Sequence, residues 1–447
     1  MSEQTSTRPY DIILFGATSF VGRLTAKYLV GLLSAAHRGG VDTEHVAPFT
    51  LALAGRNQAK LDALTSELAK QDNGGRPSTP ASAILVADAL NPDDMEKLAT
   101  SARVIISTVG PYTQWGDLLV DACATHGTDY VDLCGEAPFI RRNIDRNHAL
   151  ARETGARIVH SCGFDSVPSD IGMLALSEAA GGAPFSEVTM VVRELKGGLS
   201  GGTIASMEAA LTDPDPRLHG RFQLTADPDA ERAQAQATTS EPHSPAKRPQ
   251  LVAHTPDGWA GPFFMGMFNT LVVYRSNSLT DHTYGRELDY REYQLTGSRA
   301  AAYGLAGALG AVYGLATSNN HLARTLWERV KPAPGSGPSE KAQREGHFTV
   351  AHWGITESGE VYRSIFSGSE DPGYAGTARF LGEAALTLLH HRSGSVCVPP
   401  STKPQANTQT EHNLTGGGVL TPATGLGPAY IDRLRGAGFT IRAEKVQ

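Results

Sequence analysis

Cysteine is scarce: Cys123, Cys134, Cys162 and Cys397 are the four in 447 residues, and no two stand in a C-x-x-C spacing. That argues against a disulfide framework and against a paired-cysteine zinc motif, and the chain carries no H-E-x-x-H either. No metal site is expected, and a reduced, cytoplasmic setting fits best. Charge is also sparse, at 19% of residues, and sums to −7 at pH 7, which is no electrostatic footprint for nucleic acid. The apolar stretch 300–316 is too short and too rich in Gly and Ala for a membrane-spanning helix, which needs roughly 20 apolar residues. Met1–Arg8 lacks the apolar run of a signal peptide. What remains is a soluble chain, 40% hydrophobic, with enough apolar surface for sizeable cores. At about 100–200 residues per domain, two domains are expected.

The N-terminal part alternates strand and helix. Asp11–Phe15 is a short apolar run ending in Gly16, after which Phe20, Val21, Leu24, Tyr28, Leu29 and Leu32 recur at helical spacing. Thr50–Ala54, Ile84–Ala87, Val104–Val109, Tyr130–Leu133 and Arg157–His160 supply further strands with helical patterns between them. Such alternation requires parallel strands with crossover helices, so the fold class is α/β, a Rossmann-type doubly wound sheet. Beyond Asp170 the pattern changes to α+β. Val188–Arg193, Leu271–Tyr274, Phe348–Trp353 and Val361–Phe366 read as strands, and Tyr374–His391 as a helix. The expected division is a cofactor domain over 1–165 and a substrate or dimerisation domain over 166–394, with a mobile, polar insertion at 225–256.

Gly16-Ala-Thr18-Ser19-Phe20-Val21-Gly22 stands between the first strand and the first helix, where a dinucleotide fold holds its pyrophosphate. Gly16 permits the tight turn, the helix start offers free N–H groups, and Gly22 permits close packing of helix on strand. Ser19 replaces the usual middle glycine. Its side chain restricts backbone approach, or its hydroxyl bonds a phosphate oxygen. A glycine-rich turn without nucleotide is the plainer alternative. The second strand ends in Ala54-Gly55-Arg56. Arg56 in place of an acid suits the 2′-phosphate of NADP(H), although a solvated Arg capping a loop has the same sequence signature. Asp88 could meet the adenine amino group or form a turn. Val109, Gly110, Pro111 and Tyr112 follow the fourth strand and are expected to line the nicotinamide half, with a simple turn and plain packing as alternatives.

These segments, together with Tyr130-Val-Asp-Leu-Cys-Gly-Glu136, Cys162-Gly-Phe-Asp-Ser-Val-Pro-Ser-Asp170, Ser200-Gly-Gly-Thr203, Asp371-Pro-Gly-Tyr374 and Gly416-Gly-Gly-Val-Leu-Thr-Pro422, resemble the saccharopine dehydrogenase-like family. Within it the chain looks most like the trans-acting enoyl reductases of mycobacterial phthiocerol lipid synthesis. The resemblance covers nearly the whole chain. It implies an NADP-binding Rossmann domain joined by the C-terminal return 395–447, a second domain over the cleft, and reduction of the C=C bond of a lipid or polyketide acyl thioester. A saccharopine-type amino-acid dehydrogenase and a non-catalytic NADP-binding, lipid-associated protein are the alternatives.

Enoyl reduction needs fixed donors for the developing oxyanion and a positioned acid. Tyr112, Tyr130 and His160 are the candidate catalytic residues, with Ser166 and Tyr374 as further donors. Glu136 is either a contact of cofactor or substrate, or the cap of a helix starting near Pro138. Asp170 is a candidate cap for the helix carrying Met173. A saccharopine-type reaction would need convergent cations, for which Arg193, Arg275 and Arg286 are available, whereas the apolar runs Gly261–Phe268 and Leu271–Tyr274 suit an acyl chain. The substrate is then a small molecule or an acyl group on a carrier protein of a polyketide synthase. Arg141, Arg142, Arg146 and Arg152 offer either a docking patch for that carrier or a solvated helix face. The stretch 300–316 reads first as a buried core helix or a homodimer contact, with peripheral membrane or lipid contact as the other option.

Overall fold

The alternating runs of the N-terminal part become one parallel sheet. In a computed structural model, which describes residues 8–37, 48–71, 83–197, 220–239, 250–316, 318, 345–391 and 416–447, the strands are β1 (Tyr10–Phe15), β2 (Leu51–Gly55), β3 (Ala83–Val86), β4 (Ala102–Ser107), β5 (Asp129–Asp132) and β6 (Arg157–Val159). Between them run α1 (Phe20–His37), α2 (Gln58–Gln71), α3 (Pro92–Ser101), the single turn α4 (Tyr112–Trp115), α5 (Asp117–His126) and α6 (Ala137–Thr154). The strand order is 3-2-1-4-5-6, with Ile12 beside Leu51 on one flank and Val104 on the other. The order reverses between β1 and β4, and a doubly wound sheet opens its ligand crevice there. Continuous apolar runs are what such strands need, since both sheet faces are covered. Ile12, Ile13 and Leu14 have no exposed surface.

The chain then enters α7 (Val167–Ala179) and the long strand β7 (Phe185–Lys196), followed by α8 (Pro228–Thr239), β8 (Ala253–Thr255), β9 (Gly258–Pro262), α9 (Gly266–Leu279), β10 (Asp289–Leu295), α10 (Arg299–Ala316), β11 (His347–Thr356), β12 (Val361–Gly368), α11 (Thr377–His390), β13 (Gly418–Leu420), α12 (Pro422–Gly436) and β14 (Thr440–Lys445). The second sheet has the order 14-12-11-7-10-9-8. In it β10 runs parallel to β7, and the other pairs are antiparallel. Phe380 of α11 stacks on Phe439 at 4.5 Å and meets Phe366 of β12 edge-on at 5.8 Å, tying the helical layer to this sheet. Each such ring pair contributes about 0.5–1.5 kcal/mol beyond its buried area.

Several expectations change. Leu271–Tyr274 is helical, within α9, where Phe268, Asn269 and Arg275–Asn277 are buried as well. A segment buried on every side carries no periodicity to separate helix from strand. Phe263, Met265, Phe268 and Leu271–Tyr274 belong to the buried core. The expected helix at Tyr374–His391 opens with a π turn, Pro372–Gly376, capped by Asp371 through the Tyr374 amide at 2.9 Å. Within 225–256, Asp227 caps α8 through the Ala230 amide at 2.9 Å, and Thr225 is buried. The C-terminal return serves both sheets: β13 lies parallel to β6, while β14 lies antiparallel to β12. The apolar helix α10 buries Ala302 and half-buries Leu305, Ala306 and Leu309, while most of its other described residues are exposed. Cys397 and Ser200–Thr203 lie outside the described residues.

Candidate functional site

The turn after β1 is built by backbone constraints. Gly16 has φ +83°, and a Cβ there would meet Thr108 Oγ1 at 2.7 Å, so both torsion and space require glycine. A Cβ on Gly22 would lie 2.3 Å from the Gly16 carbonyl oxygen. Between them Ser19 caps α1: its Oγ accepts from the Gly22 amide at 3.0 Å and shares a hydrogen bond with Thr108 Oγ1 at 3.0 Å. Thr108 in turn donates to the Gly16 carbonyl at 2.9 Å. The Ser19 hydroxyl is therefore engaged inside the loop, where it caps the start of α1. The first-turn amides of Phe20 and Val21 have no acceptor within the helix and give α1 its positive end.

A cleft of about 500 Å³ opens beside this turn, along the carboxyl ends of β1 to β4. It collects Gly16, Thr18, Ser19, Arg56, Asp88, Val109 and Gly110 from the residues singled out in the sequence, and adds Asn57, Lys60, Leu90 and Trp115. Arg56 is exposed at the end of β2, and Lys60 stands one helical turn on, its amide capped by Asn57 Oδ1 at 2.9 Å. Among the described residues neither cation has an acidic partner, so both are available to an anion. Asp88 acts as a turn former, accepting from the Leu90 amide at 3.0 Å, while it lines the cleft. Phe20, Val21, Gly22, Pro111 and Tyr112 do not line the cleft. Phe20 meets Tyr374 edge-on at 4.8 Å.

Tyr112, Tyr130 and His160 do not line the cleft either. All three are buried. Tyr112 donates its hydroxyl to the Ser107 carbonyl at 3.0 Å. Tyr130 donates to Asp132 Oδ2 at 3.0 Å, and His160 Nδ1 lies 2.7 Å from the same oxygen. Asp132 Oδ1 accepts the amides of Cys134 and Ser161, both at 3.0 Å. Burial first, then the Asp132 charge, pushes both tyrosine hydroxyls well above their usual range. His160 Nε2 is buried with no partner among the described residues. Glu136 spreads its carboxylate over the amides of Tyr112 and Thr113, both at 2.9 Å, and so caps α4 rather than the helix near Pro138.

The second domain hides its charges too. Asp170 accepts from Ser276 at 2.5 Å and from the Ala423 amide at 2.7 Å, capping α12 instead of its own helix. Glu292 accepts from Tyr290 and from Asn269, both at 2.9 Å, and the Ser166 hydroxyl reaches Asn269 at 3.3 Å. Loss of solvent raises both carboxyls to about 7 and lowers His352 to about 3. Arg193 pairs with Asp257 and Arg286 with Asp281, and Arg275 is buried, donating to the carbonyls of Leu224 and Val419. The three do not converge on a cleft. On α6, Arg141, Arg142 and Arg146 pair with Asp145, Asp117 and Asp121, so the candidate docking patch is largely neutralised.

Sequence reasoning missed Lys60, Trp115 and the hub Asp132. Lys60 stands four residues after Arg56, in the first turn of α2, and that spacing was readable. Asp132 lay inside a quoted motif, but nothing local distinguishes a hub from a turn aspartate.

A glycine-cradled turn at the reversal of strand order, with free cations at the end of β2, defines a dinucleotide-binding oxidoreductase fold. No family model matches the sequence. The chain is 38% identical over 454 residues, 98% of each chain, to a Mycobacterium tuberculosis protein named provisionally as a trans-acting enoyl reductase. It is 36% identical over 450 residues, 97% of each chain, to the trans-acting enoyl reductase of Mycobacterium bovis. The figures for that of Mycobacterium ulcerans are 35% over 458 residues and 99% of each chain. The chain belongs to the trans-acting enoyl reductase family. Among solved structures, apo saccharopine dehydrogenase (L-Glu forming) from Saccharomyces cerevisiae aligns over 98% of this chain and 100% of its own, with 12% identity and a TM-score of 0.48.

Proposed function

We propose that this protein is an NADPH-dependent enoyl reductase acting on a lipid-like or polyketide acyl thioester presented by a carrier protein. The observation that carries the cofactor reading is the pair Arg56 and Lys60, unpaired among the described residues, beside the Gly16–Gly22 cradle. The diphosphate would sit against the Gly16–Ser19 turn at the start of α1, and the 2′-phosphate against Arg56 and Lys60. Reduced nicotinamide supplies a hydride equivalent to the β-carbon when bound. Val109, Gly110 and Trp115 would form the wall against the ring, keeping water from the reacting face. In this reading Tyr112, Tyr130 and His160 are positioning residues. Tyr112 fixes the end of β4, and Glu136 fixes the two amides that open α4, so the wall keeps its shape. The relatives' names support enoyl reduction in trans, which requires the acyl group to arrive on another protein. The dispersal of Arg193, Arg275 and Arg286 supports an acyl substrate over one with two amino-acid head groups.

Calorimetry with NADPH and NADH, followed by turnover with unsaturated acyl thioesters, tests the reading. Arg56→Asp should weaken NADPH binding by about tenfold or more, since a charge-assisted bond contributes about 1.5–3 kcal/mol. An unchanged dissociation constant removes Arg56 from the site. Oxidation of saccharopine with no enoyl reduction replaces the substrate class.

A further inference from the structure

The motif Asp371-Pro-Gly-Tyr374 lies outside the cleft, yet it forms the one π turn among the described residues, Pro372–Gly376. Such turns are rare and gather at functional sites. This one is firmly seated. Asp371 has no exposed surface; its carboxylate accepts from the Tyr374 amide and its carbonyl from the Gly376 amide, both at 2.9 Å. Two glycines of the second sheet leave it room: a Cβ on Gly346, just before β11, would lie 2.3 Å from Asp371 Cα, and one on Gly197, just after β7, would lie 2.6 Å from Asp371 Oδ2. Thr377 Oγ1 donates to the Pro372 carbonyl at 2.9 Å and accepts from the Phe164 amide, in the loop after β6, at 3.0 Å.

What this seat presents to the first domain is the Tyr374 ring. It is 3% exposed and meets the Phe20 ring edge-on, at 4.8 Å and an interplanar angle of 76°. Burial, then the Asp371 charge, raises the Tyr374 hydroxyl above its ordinary range, so the ring stays uncharged. Phe20 is the first residue of α1 and follows Ser19, which caps that helix and lines the cleft. Helix ends fray, and the first turn of α1 is the end on which the coenzyme turn depends. The hydrogen bonds of Ser19 and Thr108 brace that turn from within the first domain, and the Tyr374 ring braces it from the second. We propose that Tyr374 is a positioning residue for the coenzyme site: through Phe20 it holds the start of α1, and with it the Gly16–Ser19 turn, in the shape that receives a dinucleotide diphosphate. This inference rests on the cofactor reading and goes beyond it by making the second domain a determinant of coenzyme affinity.

Calorimetric titration of the full chain with NADPH tests it, because a loosened site raises the dissociation constant whereas a lost fold lowers the stoichiometry. Tyr374→Leu removes the ring and should weaken NADPH by about two- to tenfold, the worth of one edge-on pair, at unchanged stoichiometry. Tyr374→Phe keeps the ring and should bind as tightly as the wild type. Phe20→Leu removes the same contact from the other side and should weaken NADPH by a similar factor. The double variant should then lose little more than either single one. A Tyr374→Leu chain whose melting temperature or stoichiometry falls while its dissociation constant holds overturns the proposal and leaves Tyr374 a packing residue. Losses that multiply in the double variant overturn it too. Both of those results leave the cofactor reading standing; a wild-type chain that binds no NADPH removes that reading and this inference with it.

Discussion

Two stretches of the first sheet's carboxyl edge, at β2 and at β5–β6, treat charge in opposite ways. At β2, Arg56 and Lys60 stand at the mouth of the cleft with no acidic partner among the described residues. At β5 and β6, Asp132 has no exposed surface and takes hydrogen bonds from Tyr130, Cys134 and Ser161, with His160 at its second oxygen. An exposed cation costs little in water and stays available to a ligand. A buried carboxylate must be fully satisfied before the chain can fold around it. On the proposed cofactor reading, unspent charge marks binding and spent charge marks scaffolding.

The sharpest way to break that contrast is Asp132→Ala. It strands a histidine, a tyrosine hydroxyl and two amides, and should cost about 3–5 kcal/mol in denaturant unfolding. A loss below about 1 kcal/mol would put Asp132 in the site rather than the frame. Gly22→Ala comes next, because its Cβ would lie 2.3 Å from the Gly16 carbonyl. A cost of about 1–3 kcal/mol is expected, together with loss of NADPH binding by calorimetry; retained binding would mean that the cradle tolerates widening. Arg56→Asp should do the reverse, weakening the coenzyme while leaving the melting temperature alone.

A further contrast is in pH dependence. Glu292 and Asp170 rise to about 7 through burial, so each binds a proton more readily folded than unfolded. Their contribution to stability is full below the ordinary carboxylate range and is lost as pH rises to about 7. Melting temperatures measured from pH 5 to pH 8 should fall across that window. Glu292→Gln should flatten the slope, and an identical slope in the variant would show that Glu292 does not titrate there.

Much of this was legible beforehand. The first sheet was readable because each strand is a short apolar run bounded by turn residues, and Gly16, Gly22 and Arg56 occupy positions where backbone and charge demand particular residues. The cleft was legible for the same reason. Leu271–Tyr274 was not, because a helix buried on all sides looks like a buried strand. Ser19 was ambiguous, since capping and phosphate binding both call for a short hydroxyl at a helix start. Tyr112, Tyr130 and His160 fall just after strands or near turns, as site residues do. Their burial depends on Phe139 and the loop after β5 closing over them, a tertiary fact with no local mark. The exposure of α10 was equally hidden, because composition shows that a helix is apolar but not what stands next to it.

Gly418–Leu420 and Thr440–Lys445 are synthesised after every strand they join, and each completes a different sheet. A nascent chain still attached to the ribosome therefore has two unfinished edges at once. Neither half can close independently as it emerges. Both are sealed together, late, by the same short stretch of polypeptide, so an early stop codon there would damage both sheets in a single event.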